Sequence, residues 1–235
     1  MRFKDVFSII GPSMIGPSSS HTAGAIRLGR VARQLLGEMP DKAEITLYGS
    51  FADTYRGHGT DLALIGGILD FETDDPRIPQ AAEEAEALGV TIAFHISKDK
   101  ADHPNTVGIV LTSENRKINM KGASIGGGNV EIVSVDQFDV KFTANYPTLV
   151  ISHQDRPGMI ADITTLLGRS LINIGFMDLD RRGRNQEAMT VIETDAPIPD
   201  TLIEQLLQLS MITDVRKVDL AQSEGERGDV CDSEH

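Results

Sequence analysis

Hydrophobic residues recur at helical spacing in the segment that follows Thr22. They predict one apolar helix face, which comprises Ile26, Leu28, Val31, Ala32, Leu35 and Leu36. Three arginines fall three residues apart on the other side of the same helix, namely Arg27, Arg30 and Arg33. The segment is therefore predicted to be an amphipathic helix that packs one face on a core.

Shorter patterns predict further strands and helices as far as residue 147. A β-favouring run indicates a strand at 43–51, followed by a loop at 52–59. The other predicted elements are a helix at 61–69 capped by Thr60, a polar helix at 80–88 ended by Gly89, a strand at 90–96, two or three strands between 106 and 135, and a short linker region at 138–147. Residues 1–147 are therefore predicted to form an α/β domain.

The pattern restarts at Thr148. The predicted elements are strands at 149–152, 172–179, 187–194 and 211–218, with a hairpin at Gly183, one helix after Asp155-Arg-Pro-Gly158 and another capped by Asp200. The order β-α-β-β-α-β predicts a ferredoxin-like second domain at 148–220, so that the whole chain is α/β (α+β). Residues 221–235 carry five acids and little that is apolar, which predicts a disordered acidic tail.

Charge and cysteine content exclude several classes of protein. A net charge of −13 argues against nucleic acid and anionic membranes as partners, because both bind clustered lysine and arginine. No apolar run reaches the length of a membrane span, and the first ten residues lack a secretory h-region. The one cysteine, Cys231, excludes intramolecular disulfides and cannot supply three thiolates for an iron–sulfur cluster. These features predict a cytoplasmic protein.

The segment Ser18-Ser-Ser-His-Thr22 is the most informative part of the sequence. It lies where the amphipathic helix begins, so unpaired backbone N–H groups and the positive end of the helix dipole are close by. Such a place binds anions, and the hydroxyls of Ser18, Ser19, Ser20 and Thr22 suit one. The alternative is a helix cap, but a cap needs one hydroxyl and this segment has four beside an imidazole.

Two histidines are candidates for proton transfer. His58 lies between Gly57 and Gly59, which leaves its imidazole accessible in the predicted loop. With His21 it offers two groups that titrate near neutral pH. Asp61 is suited to orienting one of them, although an acid in the first turn of a helix is an equally good interpretation.

Other polar loops are weaker candidates. The run Ser124-Ile-Gly-Gly-Gly128 can bring backbone N–H groups close to an anion, or it is a plain turn; it matches neither a Walker motif nor the dinucleotide fingerprint. The loop His103-Pro-Asn-Thr106 can present His103 or Asn105 to a site. The histidine spacings do not suit a metal, so no metal site is predicted on this chain.

Two further histidines receive different interpretations. His95 lies within a predicted strand and is taken as structural. His153 precedes the Asp155-Arg-Pro-Gly158 turn, so it is predicted to line a small-ligand or interface site in the second domain.

These motifs together resemble the bacterial iron–sulfur L-serine dehydratases, and most closely the separate beta chain of the two-chain form. The resemblance spans roughly residues 1–220 and is most specific at Ser18-Ser-Ser-His-Thr22. It implies that the first domain is the module that also serves as the allosteric substrate-binding domain of some phosphoglycerate dehydrogenases. The second half looks like an ACT domain, an amino-acid-sensing unit whose usual turn matches Asp155-Arg-Pro-Gly158.

The resemblance implies a reaction in serine catabolism and gluconeogenesis, in which L-serine loses water and then ammonia to give pyruvate. It implies a [4Fe-4S] cluster that is ligated by a cysteine-bearing alpha chain and takes the β-hydroxyl as a Lewis acid. The residues expected to act are catalytic His58 and His21, substrate-binding Ser18, Ser19, Ser20, Thr22, Asn105, Ser124, Gly126 and Gly127, and, for an effector of the ACT domain, His153, Asp155 and Gly158.

Two questions stay open at this point. The sequence does not say which histidine takes the α-proton, and a non-catalytic amino-acid sensor that controls a partner enzyme of serine metabolism is the alternative function. An ACT-like sheet has one open face and edge strands, which predicts self-association of residues 148–220.

Overall fold

The computed structural model describes residues 13–220, and the predicted tail with Cys231 lies outside them. The elements of the first part are a π-helical turn at Ser19–Ala23, α1 (Gly24–Leu36), β1 (Lys42–Leu47), α2 (Gly49–His58), α3 (Thr60–Ile68), a 3-10 turn at Ile78–Gln80, α4 (Ala81–Ala87), β2 (Thr91–Ile96), β3 (Thr106–Thr112), β4 (Lys117–Gly126) and β5 (Asn129–Val135). Those of the second part are β6 (Thr148–Gln154), α5 (Met159–Arg169), β7 (Ile174–Arg181), β8 (Glu187–Thr194), α6 (Asp200–Leu207) and β9 (Ile212–Val218).

The first five strands form one sheet in the order β2-β1-β3-β4-β5. Strands β1 and β2 are parallel, so the chain between them crosses over through α2, α3 and α4, and the other neighbours are antiparallel. Every second residue of β1 is buried, and these residues share an apolar cluster with α1 and α3. The predicted amphipathic helix is confirmed as α1, which packs on this sheet.

Helices α1 and α3 cross at a point where only glycine fits. A Cβ added to Gly67 would lie 2.1 Å from the carbonyl oxygen of Ile26, and one added to Gly29 would lie 2.5 Å from that of Leu64. The two backbones therefore touch, which fixes the start of α1 relative to α3.

The second sheet confirms the predicted β-α-β-β-α-β order. Its strands run β7-β8-β6-β9, and all paired neighbours are antiparallel. One face packs against α5 and α6 in a separate apolar cluster that includes Leu149, Ile151, Ile163, Leu167 and Leu206.

The other face of this sheet is covered by the first part of the chain, so the expectation of an open face was wrong. Val150, Met189, Val191 and Val218 belong to the same apolar cluster as α1 and the first sheet. Polar contacts surround that junction, where Arg216 pairs with Asp136 at 3.0 Å, Arg116 with Asp214 at 2.7 Å, and Gln34 Oε1 accepts from the backbone N–H of Asp219 at 2.8 Å. The domain boundary at 147/148 stays a prediction.

The predicted strand at 43–51 and loop at 52–59 were wrong beyond Leu47, because the chain turns into α2. Gly49 has a φ of 51°, and a side chain there would lie 2.7 Å from the carbonyl oxygen of Pro104. The same carbonyl accepts from the N–H of Phe51 at 3.4 Å, so a distant loop holds the start of the helix. Thr60 does not cap α3, since Gly59 precedes that helix with a φ of 68°.

Two further expectations are corrected. The region 138–147 is not a plain linker, because Phe138, Val140, Phe142 and Ala144 are buried and Phe142 bridges to Ile132 of β5. Arg30 does not lie on an exposed helix face; it is 2% exposed, with Nε 3.0 Å from Asp70 and Nη1 2.5 Å from Glu72.

Candidate functional site

The turn that leads into α1 contains a buried hydroxyl without a hydrogen-bond partner among the described residues. Ser18 is the N-cap, and its Oγ accepts from the backbone N–H of His21 at 3.3 Å. Thr22 is 2% exposed, yet its Oγ1 has no hydrogen-bond partner among the described residues. Ser19 and Ser20 are partly buried in the same turn. One hydroxyl therefore serves as a cap, and at least one other has no partner in the described part of the chain.

The glycine-rich turn meets the start of α1. Ser124, at the end of β4, is fully buried, and a Cβ added to Gly24 would lie 2.1 Å from its Oγ. That Oγ also lacks a partner in the described part of the chain. Gly126 and Gly127 have φ of 101° and 62° in the β4–β5 turn, so the segment is a hairpin turn that places Ser124 beside the Ser18–Thr22 segment.

The loop at 103–105 joins the same place through its backbone. The carbonyl of Asn105 accepts from the N–H of Ser124 at 3.0 Å, and the N–H of Asn105 donates to Nδ1 of His103 at 3.1 Å. Because Pro104 also contacts the start of α2, this loop links the glycine-rich turn to α2. Asn105 is thus brought close to the other candidates.

The rings of the two candidate histidines lie next to each other and are tilted. The ring centroids of His21 and His58 lie 4.9 Å apart at an interplanar angle of 33°. His58 is not a loop residue; it ends α2, and the left-handed Gly59 follows it. Its Nδ1 is buried without a partner among residues 13–220.

His21 is held between two serines. Its Nδ1 lies 3.3 Å from Ser18 Oγ, and its Nε2 lies 3.3 Å from Ser50 Oγ. The edge of the ring contacts the buried Phe51, at 5.4 Å between centroids. Burial lowers the pKa of His21 below its usual value, and the nearby charge of His58 lowers it further, so His21 favours the neutral form.

Sequence reasoning missed the contact of Ser50 with His21 and the burial of Thr60. Ser50 was placed inside a strand, and Thr60 was read as a helix cap, whereas Thr60 is fully buried and its Oγ1 has no partner among the described residues. The sequence feature that could have indicated Ser50 is the pair Gly49-Ser50 just after strand β1, since residues at the ends of strands in such folds often belong to the functional site.

The candidate effector residues of the second part lie apart from this site. His153 is 3% exposed, with Nε2 2.8 Å from Thr190 Oγ1 and Nδ1 3.0 Å from the carbonyl of Gln154. Asp155 pairs with Arg181 at 3.0 Å, and Gly158, with φ of 87°, precedes α5. Both ring nitrogens of His153 have partners within the chain, which favours a structural role over the predicted ligand-lining one.

The donor set does not fit an iron–sulfur cluster on this chain. Between residues 13 and 220 there is no group of three or more His, Cys, Asp or Glu side chains placed to hold a metal ion. Clusters are held by thiolates, and the chain's one cysteine lies outside those residues. In the same range, no helix is long and apolar enough to cross a membrane.

The two parts of the chain match two different protein families. The family described as serine dehydratase beta chain matches residues 3–89, and the ACT domain matches residues 147–210. The chain is 45% identical over 218 residues to the probable L-serine dehydratase beta chain of Bacillus subtilis (strain 168), covering 93% of this chain and 99% of that protein. It is 35% identical over 216 residues to the L-serine dehydratase beta chain of Peptoniphilus asaccharolyticus, covering 91% and 97%.

More distant similarities were also found. A D-3-phosphoglycerate dehydrogenase of Synechocystis sp. is 27% identical over 194 residues, which cover 82% of this chain and 35% of that protein. A solved ACT domain from the GTP pyrophosphokinase of Chlorobium tepidum covers 31% of this chain and 96% of its own, with 18% identity and a TM-score of 0.27. The ACT assignment of residues 147–210 therefore rests on the family match and on the observed strand order.

Proposed function

We propose that this chain, which belongs to the family of L-serine dehydratase beta chains, is the beta subunit of an iron–sulfur L-serine dehydratase. In this proposal a cysteine-bearing alpha chain supplies the [4Fe-4S] cluster, since the described residues of this chain offer no thiolate. The two chains together convert L-serine to pyruvate and ammonia in the cytoplasm, and neither the cluster nor the activity belongs to this chain alone.

One observation carries the proposal. Thr22 and Ser124 place two buried hydroxyls without partners against the start of α1. A buried polar group that lacks a partner costs about 1–3 kcal/mol, so it is retained where a ligand completes it. The hydroxyls donate, and a helix N-terminus attracts negative charge, which together fit a carboxylate. We assign the carboxylate of L-serine to this place, with Ser18, Ser19, Ser20, Asn105, Gly126 and Gly127 around it.

The proton acceptor in this proposal is His58. Both ring nitrogens of His21 are engaged by serines, whereas Nδ1 of His58 has no partner in the described chain. The α-carbon–hydrogen bond breaks, its proton goes to the imidazole of His58, and the electron pair forms the α–β double bond as the β-hydroxyl leaves as hydroxide. The imidazolium of His58 returns the proton to the hydroxide, which gives water. The enamine product then tautomerises to an imine, which water hydrolyses to pyruvate and ammonia. Hydroxyls and N–H groups on the carboxylate lower the barrier to this carbanion-like transition state. His21 orients the substrate and His58.

The experiment that tests the proposal compares the chain alone with the co-expressed pair. The isolated chain, reconstituted anaerobically with iron and sulfide, is expected to hold no iron and to have no serine dehydratase activity. Co-expression with a cysteine-bearing alpha chain is expected to give both. Stoichiometric iron bound by this chain alone would contradict the assignment of the cluster to the alpha chain.

The match to the ACT domain supports a second candidate, a non-catalytic sensor of an amino acid. The two functions differ in the effect of a His58 substitution on the complex. A sensor keeps its maximal rate and changes only its response to the effector, whereas a catalytic subunit loses turnover with the cluster intact.

Self-association through residues 148–220 belongs to the same proposal. The open sheet face is no longer available for it, but β7 is an edge strand and carries Phe176, Met177 and Leu179, which are 42%, 43% and 41% exposed. Unpaired edges of this kind associate readily. Sedimentation of the full chain at micromolar concentration is expected to show a dimer, and a monomer would contradict this part.

A further inference from the structure

Ser50 occupies a defined position beside the histidine pair. It is the second residue of α2, on the same helix face as Thr54 and His58, and its Oγ lies 3.3 Å from Nε2 of His21. The loop at 103–105 fixes this end of α2, because Pro104 accepts from the N–H of Phe51. The serine is thus held in place from outside its own helix.

The hydrogen bonds of Ser18 indicate which nitrogen of His21 carries the proton. Ser18 Oγ accepts from the backbone N–H of His21 and has one hydrogen to donate, and Nδ1 of the same residue lies 3.3 Å away, so we assign the donation of that hydrogen to Nδ1. Nδ1 is then an acceptor, and a neutral imidazole must carry its hydrogen on Nε2. That Nε2–H points at Ser50 Oγ, which accepts it.

We propose that Ser50 is a positioning residue that holds His21 in the Nε2–H tautomer and fixes its ring against His58. The inference rests on the proposed function, in which His21 orients the substrate. The Ser18–His21–Ser50 chain of hydrogen bonds sets both the tautomer and the rotation of the ring, since each ring nitrogen has one serine partner. Without Ser50, the ring contacts given by residues 13–220 are those with Ser18, Phe51 and His58.

The first test reads the tautomer in the isolated full chain. Histidine-labelled protein is examined by long-range ¹H–¹⁵N correlation at a pH where His21 is neutral. The wild type is expected to show the Nε2–H tautomer, and S50A is expected to shift the tautomer ratio by about two- to tenfold, the equivalent of one neutral hydrogen bond. The conservative variant S50T keeps the hydroxyl and is expected to keep the wild-type ratio.

A matched control comes from the same helix face. Thr54 Oγ1 donates to the backbone carbonyl of Ser50 at 2.7 Å and is bonded to neither imidazole. T54V therefore removes a hydroxyl one turn away and is expected to leave the tautomer of His21 unchanged. An unchanged ratio in S50A, or an equal shift in T54V, overturns the proposal.

The second test uses the complex with the alpha chain. S50A is expected to raise KM for L-serine about three- to tenfold with kcat within about twofold, and S50T is expected to restore KM. An unchanged KM in S50A overturns the positioning role. If the wild-type complex is inactive, the proposed function fails, and the tautomer measurement still decides whether Ser50 holds His21.

Discussion

At the scale of single residues, the candidate site is distinguished by buried hydroxyls that have no hydrogen-bond partner in the described part of the chain. Thr22 and Ser124 illustrate this, because neither has a partner among residues 13–220. Buried polar groups in a stable fold usually have hydrogen-bond partners, so hydroxyls without partners favour ligand binding at the expense of stability. Removing them is therefore expected to raise stability and to weaken substrate binding.

The substitutions T22V and S124A are expected to stabilise the isolated chain and to weaken the complex. Each removes a buried hydroxyl that lacks a partner, which raises the free energy of unfolding by about 0.5–2 kcal/mol. Each also removes a donor to the substrate carboxylate, which raises KM for L-serine by about tenfold or more. Urea unfolding and steady-state kinetics measure the two effects.

A matched control is T190V, in the second part of the chain. Thr190 is fully buried as well, but its Oγ1 bonds to Nε2 of His153 at 2.8 Å. Its loss is expected to lower the free energy of unfolding by about 1–3 kcal/mol and to leave KM unchanged. Destabilisation by T22V and S124A, with KM unchanged, would remove these hydroxyls from the site.

The histidine pair gives the second residue-scale prediction. His58→Asn is expected to lower kcat about 10²–10⁴-fold, the usual effect of losing a general base, with the cluster and the assembly intact. His21→Asn is expected mainly to raise KM, because His21 orients the substrate. Reversed effects would exchange the two roles, and near-wild-type kinetics in both variants would favour the sensor.

At the scale of elements, the crossing of α1 and α3 positions the site. Because the crossing has no room for a Cβ at Gly67, G67A is expected to lower the free energy of unfolding by about 3 kcal/mol or more. The matched control is G168A in α5, where an added Cβ meets nothing within 4 Å. This variant is expected to raise the free energy of unfolding by about 0.5–1 kcal/mol, because alanine favours a helix more than glycine does. Similar effects of the two variants in thermal or urea unfolding would contradict the close contact.

The sequence correctly predicted helices and strands in which the spacing of apolar residues matches the face that is buried. Helix α1 and most of the elements from β6 to β9 were found because they bring apolar residues to a core, whereas β7 is mostly exposed. The alternation of Phe138, Val140, Phe142 and Ala144, which are buried, was also readable from the sequence, but the segment was interpreted as a linker.

Helix α2 was not readable from the sequence. Phe51 is its one buried residue, and glycines at 49 and 57 are poor helix formers. The helix forms because a loop more than fifty residues later binds its start, and local pattern does not carry that information. The candidate site shares this property. Its polar segments were found by residue type, whereas Ser50 joined it only through a tertiary contact with His21.

At the scale of the whole molecule, the two sheets share one apolar cluster. Residues of β6, β8 and β9 pack in it together with α1, and the candidate site lies in the π-helical turn that leads into this helix. Arg27 adds a polar link, since its guanidinium donates to the carbonyl of Gly128 in the glycine-rich turn and to Oδ1 of Asn145 just before β6. A separated second part would expose the apolar face that α1 covers.

The chain is therefore expected to unfold in one cooperative transition rather than in two. Amide hydrogen exchange in β3 and in β8 is expected to report the same largest opening free energy, equal to the global value from urea unfolding. R216A, which breaks the pairs with Asp136 and Asp214 at the junction, is expected to lower the opening free energy in both sheets equally, by about 1–3 kcal/mol.

The exposed pair of Lys42 and Glu44 gives the control, since K42A is expected to change the free energy of unfolding by less than about 0.5 kcal/mol. Loss of protection confined to β6–β9 in R216A would mean that the ACT part opens alone. An effector bound to the ACT part would then have to influence the candidate site at the start of α1 by some means other than this shared core.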